Sequence, residues 1–166
     1  MSLITLICGG QGTGKTTFVK SCIVNPKRGI ILDINNEYKE FDTLGAHRVT
    51  EKFRDSLENI SALDGITLVV EEATVFFSNR KYDEKLCEMI VRKRHQKNDI
   101  FLIYHSLTDI PDYLLRLSDY LWLFKTKDNP TRIESKYKDM DEVKKGFYEV
   151  RKNKDVHYKY AIKLLQ

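Results

Sequence analysis

The chain is poor in several features that would each have pointed somewhere. It has only three cysteines, Cys8, Cys22 and Cys87, an odd number and widely spaced. That argues for free thiols in a reducing compartment, and against a disulfide framework or a zinc site. The four histidines show no metal-ligand spacing. No apolar run approaches the roughly 20 residues needed to cross a bilayer. The opening "MSLITLICGG" lacks the basic region of a signal peptide, so it reads as a strand. There are no repeats and no low-complexity tract. What remains is an ordinary composition, 42% hydrophobic and 31% charged over 166 residues, which predicts one domain able to bury a core.

Charge is present in both signs but unevenly placed. The net charge is +4, yet the stretch from Lys125 onward holds 12 Lys/Arg against 7 Asp/Glu. A basic C-terminal quarter suits a nucleic-acid partner, and it equally suits a solvated surface rich in lysine. The sequence divides on this basis into a core, residues 1–125, and a basic extension, residues 126–166, packed on it as one domain.

Short apolar runs alternate with helical patterns along the core. "LITLIC", "GIILDI", "ITLVV", "DIFLIY" and "YLWLF" read as buried strands. Between them, Phe18, Val19, Cys22 and Ile23 share one helical face. Phe53, Leu57 and Ile60 share another, and Leu86, Met89 and Ile90 a third. "PDYLLRLS" opens a further helix with a proline. Continuous apolar strands alternating with helices predict a mainly parallel sheet flanked by helices, the doubly wound α/β class. Ligands bind beyond the carboxyl ends of such strands, here at Gly9, Asp33, Glu71–Glu72 and His105. In the extension, "RIESKYKDMDEVKK" reads as a short helix or partly irregular chain. "FYEVRKNKDVHYKYAIKL" reads as a β-hairpin turning at "NKD", with Val156, Tyr158, Tyr160 and Ile162 on one face and His157, Lys159 and Lys163 on the other.

"GGQGTGKT", Gly9 to Thr16, satisfies the phosphate-loop pattern G-x-x-x-x-G-K-[ST], between a predicted strand and a predicted helix. The glycines let the backbone aim its N–H groups at phosphate oxygens, and the helix start adds partial positive charge. The nucleotide-binding set is Gly9, Gly10, Gln11, Gly12, Thr13, Gly14, Lys15, Thr16 and Thr17. In this pattern Lys15 reaches the β- and γ-phosphates of ATP and the Thr16 hydroxyl ligates Mg²⁺. A cation there also explains "LVVEE", where two carboxylates follow an apolar run and would otherwise be costly. Glu71 is the second metal-ligand candidate, and Glu72 the candidate base that orients the attacking water. The bland alternative is two solvated turn residues.

These stretches resemble the HerA/FtsK branch of P-loop ATPases. They are most similar to small phage and viral genome-packaging ATPases and to the ATPase domain of zonula occludens toxin-like phage assembly proteins. The points of likeness are the loop at 9–16, "ILDINNEY", "LVVEEA", "RKRHQKNDIFLIYHS" and "DIPDYLLRLSDYLWLF". The resemblance implies an additional-strand P-loop NTPase sheet in the order 5-1-4-3-2. It implies homo-oligomeric rings of five or six subunits, and double-stranded DNA or phage assembly proteins as partners. Location would be the host cytoplasm, with association to the virion. His105 takes the place of the family's polar sensor at the tip of strand four. Arg94 best matches an arginine that acts on a neighbour's nucleotide, with Arg80 and Arg92 as competitors. Asp33 and Glu37 match a family stretch after strand two.

The leading expectation is a phage-encoded ATPase that couples Mg–ATP hydrolysis to DNA translocation, genome packaging or virion assembly, with Glu72, Lys15, His105 and Arg94 as catalytic residues and Thr16 and Glu71 as metal ligands. The alternatives are a small-molecule or nucleotide kinase of P-loop type and a non-catalytic nucleotide-binding module.

Overall fold

A computed structural model describes residues 2–50, 59–60, 62–78 and 83–164, apart from the side chains of Lys93 and Arg94. Of the predicted helix carrying Phe53, Leu57 and Ile60, Phe53 and Leu57 lie outside the described residues, and Ile60 is helical and buried. The strands are β1 (Ile4–Cys8), β2 (Gly29–Leu32), β3 (His47–Val49), β4 (Thr67–Val70), β5 (Asp99–Tyr104), β6 (Tyr120–Phe124) and β7 (Lys159–Lys163). The helices are α1 (Lys15–Cys22), α2 (Glu40–Thr43), α3 (Glu84–Gln96), α4 (Asp112–Leu117), α5 (Pro130–Lys136) and α6 (Asp141–Lys152).

Among the described residues the strands form one sheet in the order β3-β2-β4-β5-β1-β6-β7. All neighbours are parallel except β6 and β7. The five strands expected from the sequence are β1, β2, β4, β5 and β6, and their order is the predicted 5-1-4-3-2. The extra edge strand β3 and the short helix α2 were not anticipated.

Alternating side chains along the strands divide the core between two faces. Ile7, Ile31, Val69, Ile103 and Phe124 pack under Val19 and Ile23 of α1 and Phe41 of α2. Leu6, Leu32, Leu68, Leu102 and Leu121 pack on the other face with Leu86, Met89 and Ile90 of α3 and with Leu114 and Leu115 of α4. Residues buried from both sides are why these strands read as unbroken apolar runs.

The predicted hairpin in the extension is corrected. Its second arm exists as β7, but β7 pairs antiparallel with β6, Leu121 opposite Ile162. Its first arm is the end of helix α6. Val143, Phe147 and Val150 are spaced by four and three residues and are all buried, the period of a helix and not of a strand. Asp141 and Glu142 in the first turn and Arg151 and Lys152 in the last complement the helix dipole. Gly146 allows the close approach: a Cβ there would stand 2.9 Å from the Tyr160 ring and 3.0 Å from the Ile162 side chain.

Strand register aligns the chemistry. Leu32 pairs with Val70, Val70 with Leu102, and Cys8 with Tyr104. The next residues along each chain are Asp33, Glu71, Gly9 and His105, so they leave the sheet on one edge. All three cysteines are free thiols, Cys8 and Cys87 buried and Cys22 partly so.

Candidate nucleotide site

The loop between β1 and α1 is tied to its neighbours before it turns. The Gly9 N–H donates to the Tyr104 carbonyl (3.1 Å) and the Gly10 N–H to the Lys125 carbonyl (2.8 Å). Both donors are therefore spent on holding the loop, and neither residue lines the cleft. Gly9 is required by space, since a Cβ there would lie 2.5 Å from the Phe124 Cβ. Gln11 to Thr17 line a cleft of about 290 Å³ together with Glu37, Glu71, His105 and His157. Helix α1 starts at Gly14 (φ +92°), has no side-chain cap and has no acidic residue in its first turn. Its first N–H groups are thus open to an anion.

Lys15 is buried, and its ammonium donates to the Gly10 carbonyl (2.9 Å) and lies 3.4 Å from His105 Nδ1. Burial lowers its pKa, and the nearby Glu71 carboxylate opposes that shift. Glu71 is only 2% exposed. Burial pushes its pKa up to about 7, against a hydrogen bond from Tyr38 and the charge of Lys15, which act to lower it. The Tyr38 hydroxyl donates to Glu71 Oε2 at 2.9 Å. Glu72 sits in the left-handed region (φ 54°), a conformation that costs a non-glycine residue about 1–3 kcal/mol. Its Oε1 is clamped between His105 Nε2 (2.5 Å) and Asn35 Nδ2 (3.2 Å). His105 thus bridges Lys15 and Glu72, and the two contacts suit the tautomer that carries its hydrogen on Nε2. Glu72 reaches the cleft through His105 and is not itself in the lining.

The sequence paired Thr16 with Glu71 at the metal. Both line the cleft, but the Thr16 hydroxyl donates to Glu37 Oε2 at 2.6 Å. The loop after β2 makes this possible. The Asp33 carboxylate accepts the N–H groups of Glu37 (2.8 Å) and Tyr38 (3.0 Å) and is held by Arg48 at 2.9 Å. Arg48, on β3, also pairs with Asp42 at 2.7 Å. Asp33 is therefore a buried organiser that presents Glu37 to Thr16 and Tyr38 to Glu71. Tyr38, Asn35, Arg48 and His157 had no role in the sequence reading. Asp33 is also marked by its place at a strand end, and Glu37 by resemblance alone.

Among the described residues no group of three or more His, Cys, Asp or Glu forms a ready metal cage. The donors that do converge, a hydroxyl and carboxylates beside a phosphate loop, are the hard oxygens that Mg²⁺ takes when it arrives with a nucleotide. Arg94 lies on α3 with its side chain outside the described residues, and Arg80 lies outside them altogether. Arg92 is exposed and pairs with Glu88 at 2.8 Å on its own helix.

No family model and no curated protein matches the sequence. Solved structures do match the fold. The genome-packaging NTPase B204 from Sulfolobus turreted icosahedral virus 2, in complex with AMP, superposes with a TM-score of 0.76 at 18% identity, covering 98% of this chain and 93% of that one. B204, the DNA-packaging ATPase from Sulfolobus turreted icosahedral virus, gives 0.76 at 19% identity, covering 98% and 92%. The N-terminal domain of zonular occludens toxin from Neisseria meningitidis gives 0.54 at 20% identity, covering 82% and 91%. The chain thus has the P-loop NTPase fold of these proteins, and its likeness to B204 extends through the C-terminal strand.

Proposed function

We propose that this chain is a Mg²⁺-dependent ATPase of motor type, phage-encoded, which couples ATP hydrolysis to the movement of double-stranded DNA into a capsid or to virion assembly. The observation that carries this reading is an open phosphate loop whose Lys15 meets His105 in the cleft, with Glu72 bonded to His105 from outside the lining. The open N–H groups from Gln11 to Thr17 bind the phosphates, with Gly9 and Gly10 shaping the loop. Lys15 exchanges its Gly10 carbonyl for the β- and γ-phosphate oxygens. Thr16 and Glu71 would hold Mg²⁺, with Glu37 beside them, and the ion would supply positive charge to the phosphates there. Glu72, held by His105 and Asn35, orients the attacking water and accepts its proton as the bond to the γ-phosphorus forms and the bond from the γ-phosphorus to the β–γ bridging oxygen breaks, releasing ADP and phosphate. An arginine of a neighbouring subunit in a ring of five or six, Arg94 ahead of Arg92 and Arg80, completes the charge balance.

The basic extension, residues 126–166, supplies the surface for the polyanion. No described helix is long and apolar enough to cross a membrane, which fits action in the host cytoplasm or at the virion. Phosphate release from Mg–ATP, measured with and without double-stranded DNA, tests the reading. A motor releases phosphate and is stimulated by the polymer; a protein that only binds nucleotide releases none.

A further inference from the structure

The phosphate cleft has one lining residue that the hydrolytic chemistry does not use. His157 comes from the loop between α6 and β7, and its Nδ1 lies 3.1 Å from where a Gly14 Cβ would stand. The loop is knitted to hold it there. The Asp155 N–H donates to Asn153 Oδ1 and the His157 N–H to Asp155 Oδ1, each at 2.9 Å. Lys125, whose own carbonyl anchors Gly10, donates its ammonium to the Asn153 carbonyl at 2.9 Å. The phosphate loop and the His157 loop therefore share an anchor.

Strand order gives the cleft a direction. Glu71 and Glu72 follow β4 and His105 follows β5, on one side of β1. His157 precedes β7, two strands beyond β1 on the other side, so the tips of β5 and β7 stand roughly 14 Å apart at the usual strand spacing. A nucleotide whose γ-phosphate meets Lys15 and His105 must run its other end away from them. The flank on the β2 side is occupied by Glu37, bonded to Thr16, and by the Lys20–Glu40 ion pair. The opposite flank carries His157 and Lys159, whose ammonium lies 5.3 Å from the Phe18 ring centroid.

We infer that His157 forms the wall of the nucleoside subsite: its imidazole packs against the base of the bound nucleoside triphosphate. The inference rests on the phosphate site proposed above and adds the position of the base. It makes the C-terminal segment part of nucleotide recognition, so that base binding couples β7 and α6 to the phosphate loop.

Two ligands separate the two ends of the cleft: ATP, and inorganic tripolyphosphate, which has no base. Affinities are measured by titration calorimetry at fixed Mg²⁺ for the wild type, His157→Ala, His157→Phe and Lys15→Ala. His157 is exposed, so its variants should keep the wild-type melting temperature. Ring stacking on a base predicts that His157→Ala loses about fivefold or more in ATP affinity and that His157→Phe recovers most of it. Tripolyphosphate affinity should be unchanged in both. Equal loss of ATP and tripolyphosphate in His157→Ala would make His157 a phosphate contact and overturn the inference. Unchanged ATP affinity, or no recovery by phenylalanine, would overturn it too. Lys15→Ala should weaken both ligands. A wild-type protein that binds neither would overturn the phosphate site, and the base subsite with it.

Discussion

Replacing Tyr38 with phenylalanine should change how the protein takes up Mg²⁺ without touching a metal ligand. The Tyr38 hydroxyl is a close hydrogen-bond partner of a carboxylate that is only 2% exposed. A hydrogen bond to a charged group contributes about 1.5–3 kcal/mol, or about 1 to 2 pH units at 1.36 kcal/mol each. Burial already holds Glu71 at about 7, with the Tyr38 hydrogen bond pulling it down. Its loss should therefore raise the Glu71 pKa further above the usual carboxylate range. The sign follows from the charge: Mg²⁺ needs the ionised carboxylate, so binding must displace a proton, and more so as the pKa rises. At pH 7 the Mg²⁺ concentration for half-maximal nucleotide binding should increase roughly tenfold in Tyr38→Phe. At pH 8 the difference should narrow, because more of Glu71 is then ionised in both proteins. The assay is a Mg²⁺ titration of nucleotide-binding fluorescence at both pH values. A Tyr38→Phe protein with the wild-type Mg²⁺ requirement at pH 7 would refute the reasoning.

Lys15→Ala should lose at least about tenfold in ATP affinity by calorimetry, since charge-assisted phosphate contacts are lost. Phe147→Ala should lower the melting temperature by about 6–20 °C, because emptying a fully buried aromatic site costs about 3–5 kcal/mol; a drop of less than about 5 °C in a thermal melt would mean that α6 is not an integral part of the core. Changing the exposed Lys152, Lys154 and Lys163 together to glutamine should leave that temperature unchanged. It should flatten the slope of log DNA affinity against log salt by about 2 to 3, as fewer counterions are released.

The parts of the fold that could be read from the sequence are those whose physics is local. Five strands buried on both faces appear as unbroken apolar runs, and the phosphate loop appears as glycine spacing between a strand and a helix. β3 escaped because it is three residues long with an exposed His47 and leaves no periodic trace. The end of α6 reads as a hairpin arm because the alternation, which the structure bears out only from Tyr158 to Ile162 and not at the exposed Val156, is extended backward across Asn153–Asp155. The spacing of Val143, Phe147 and Val150 had carried the helical signal. The site divides in the same way. Lys15, Thr16, Glu71 and Glu72 announce themselves by motif. Tyr38 meets Glu71 across 33 residues of chain, and Arg48 meets Asp33 across 15. Those contacts exist only after β2 has paired with both β3 and β4. The alternation puts His157 on a strand face with Lys159, but it stands in the turn before β7, and the pairing of β7 with β6 is what brings that turn beside Gly14.

In the proposed mechanism Glu72, in its left-handed turn and hydrogen-bonded to His105, orients the water that attacks ATP. Steady-state phosphate release by Glu72→Gln, measured beside ATP binding in the same Mg²⁺ buffer, is the decisive assay. The substitution keeps the side chain's size and removes its basicity, so turnover should fall by about 10²–10⁴ while ATP still binds. A Glu72→Gln protein that releases phosphate at the wild-type rate would contradict the account and leave Glu72 a structural turn residue.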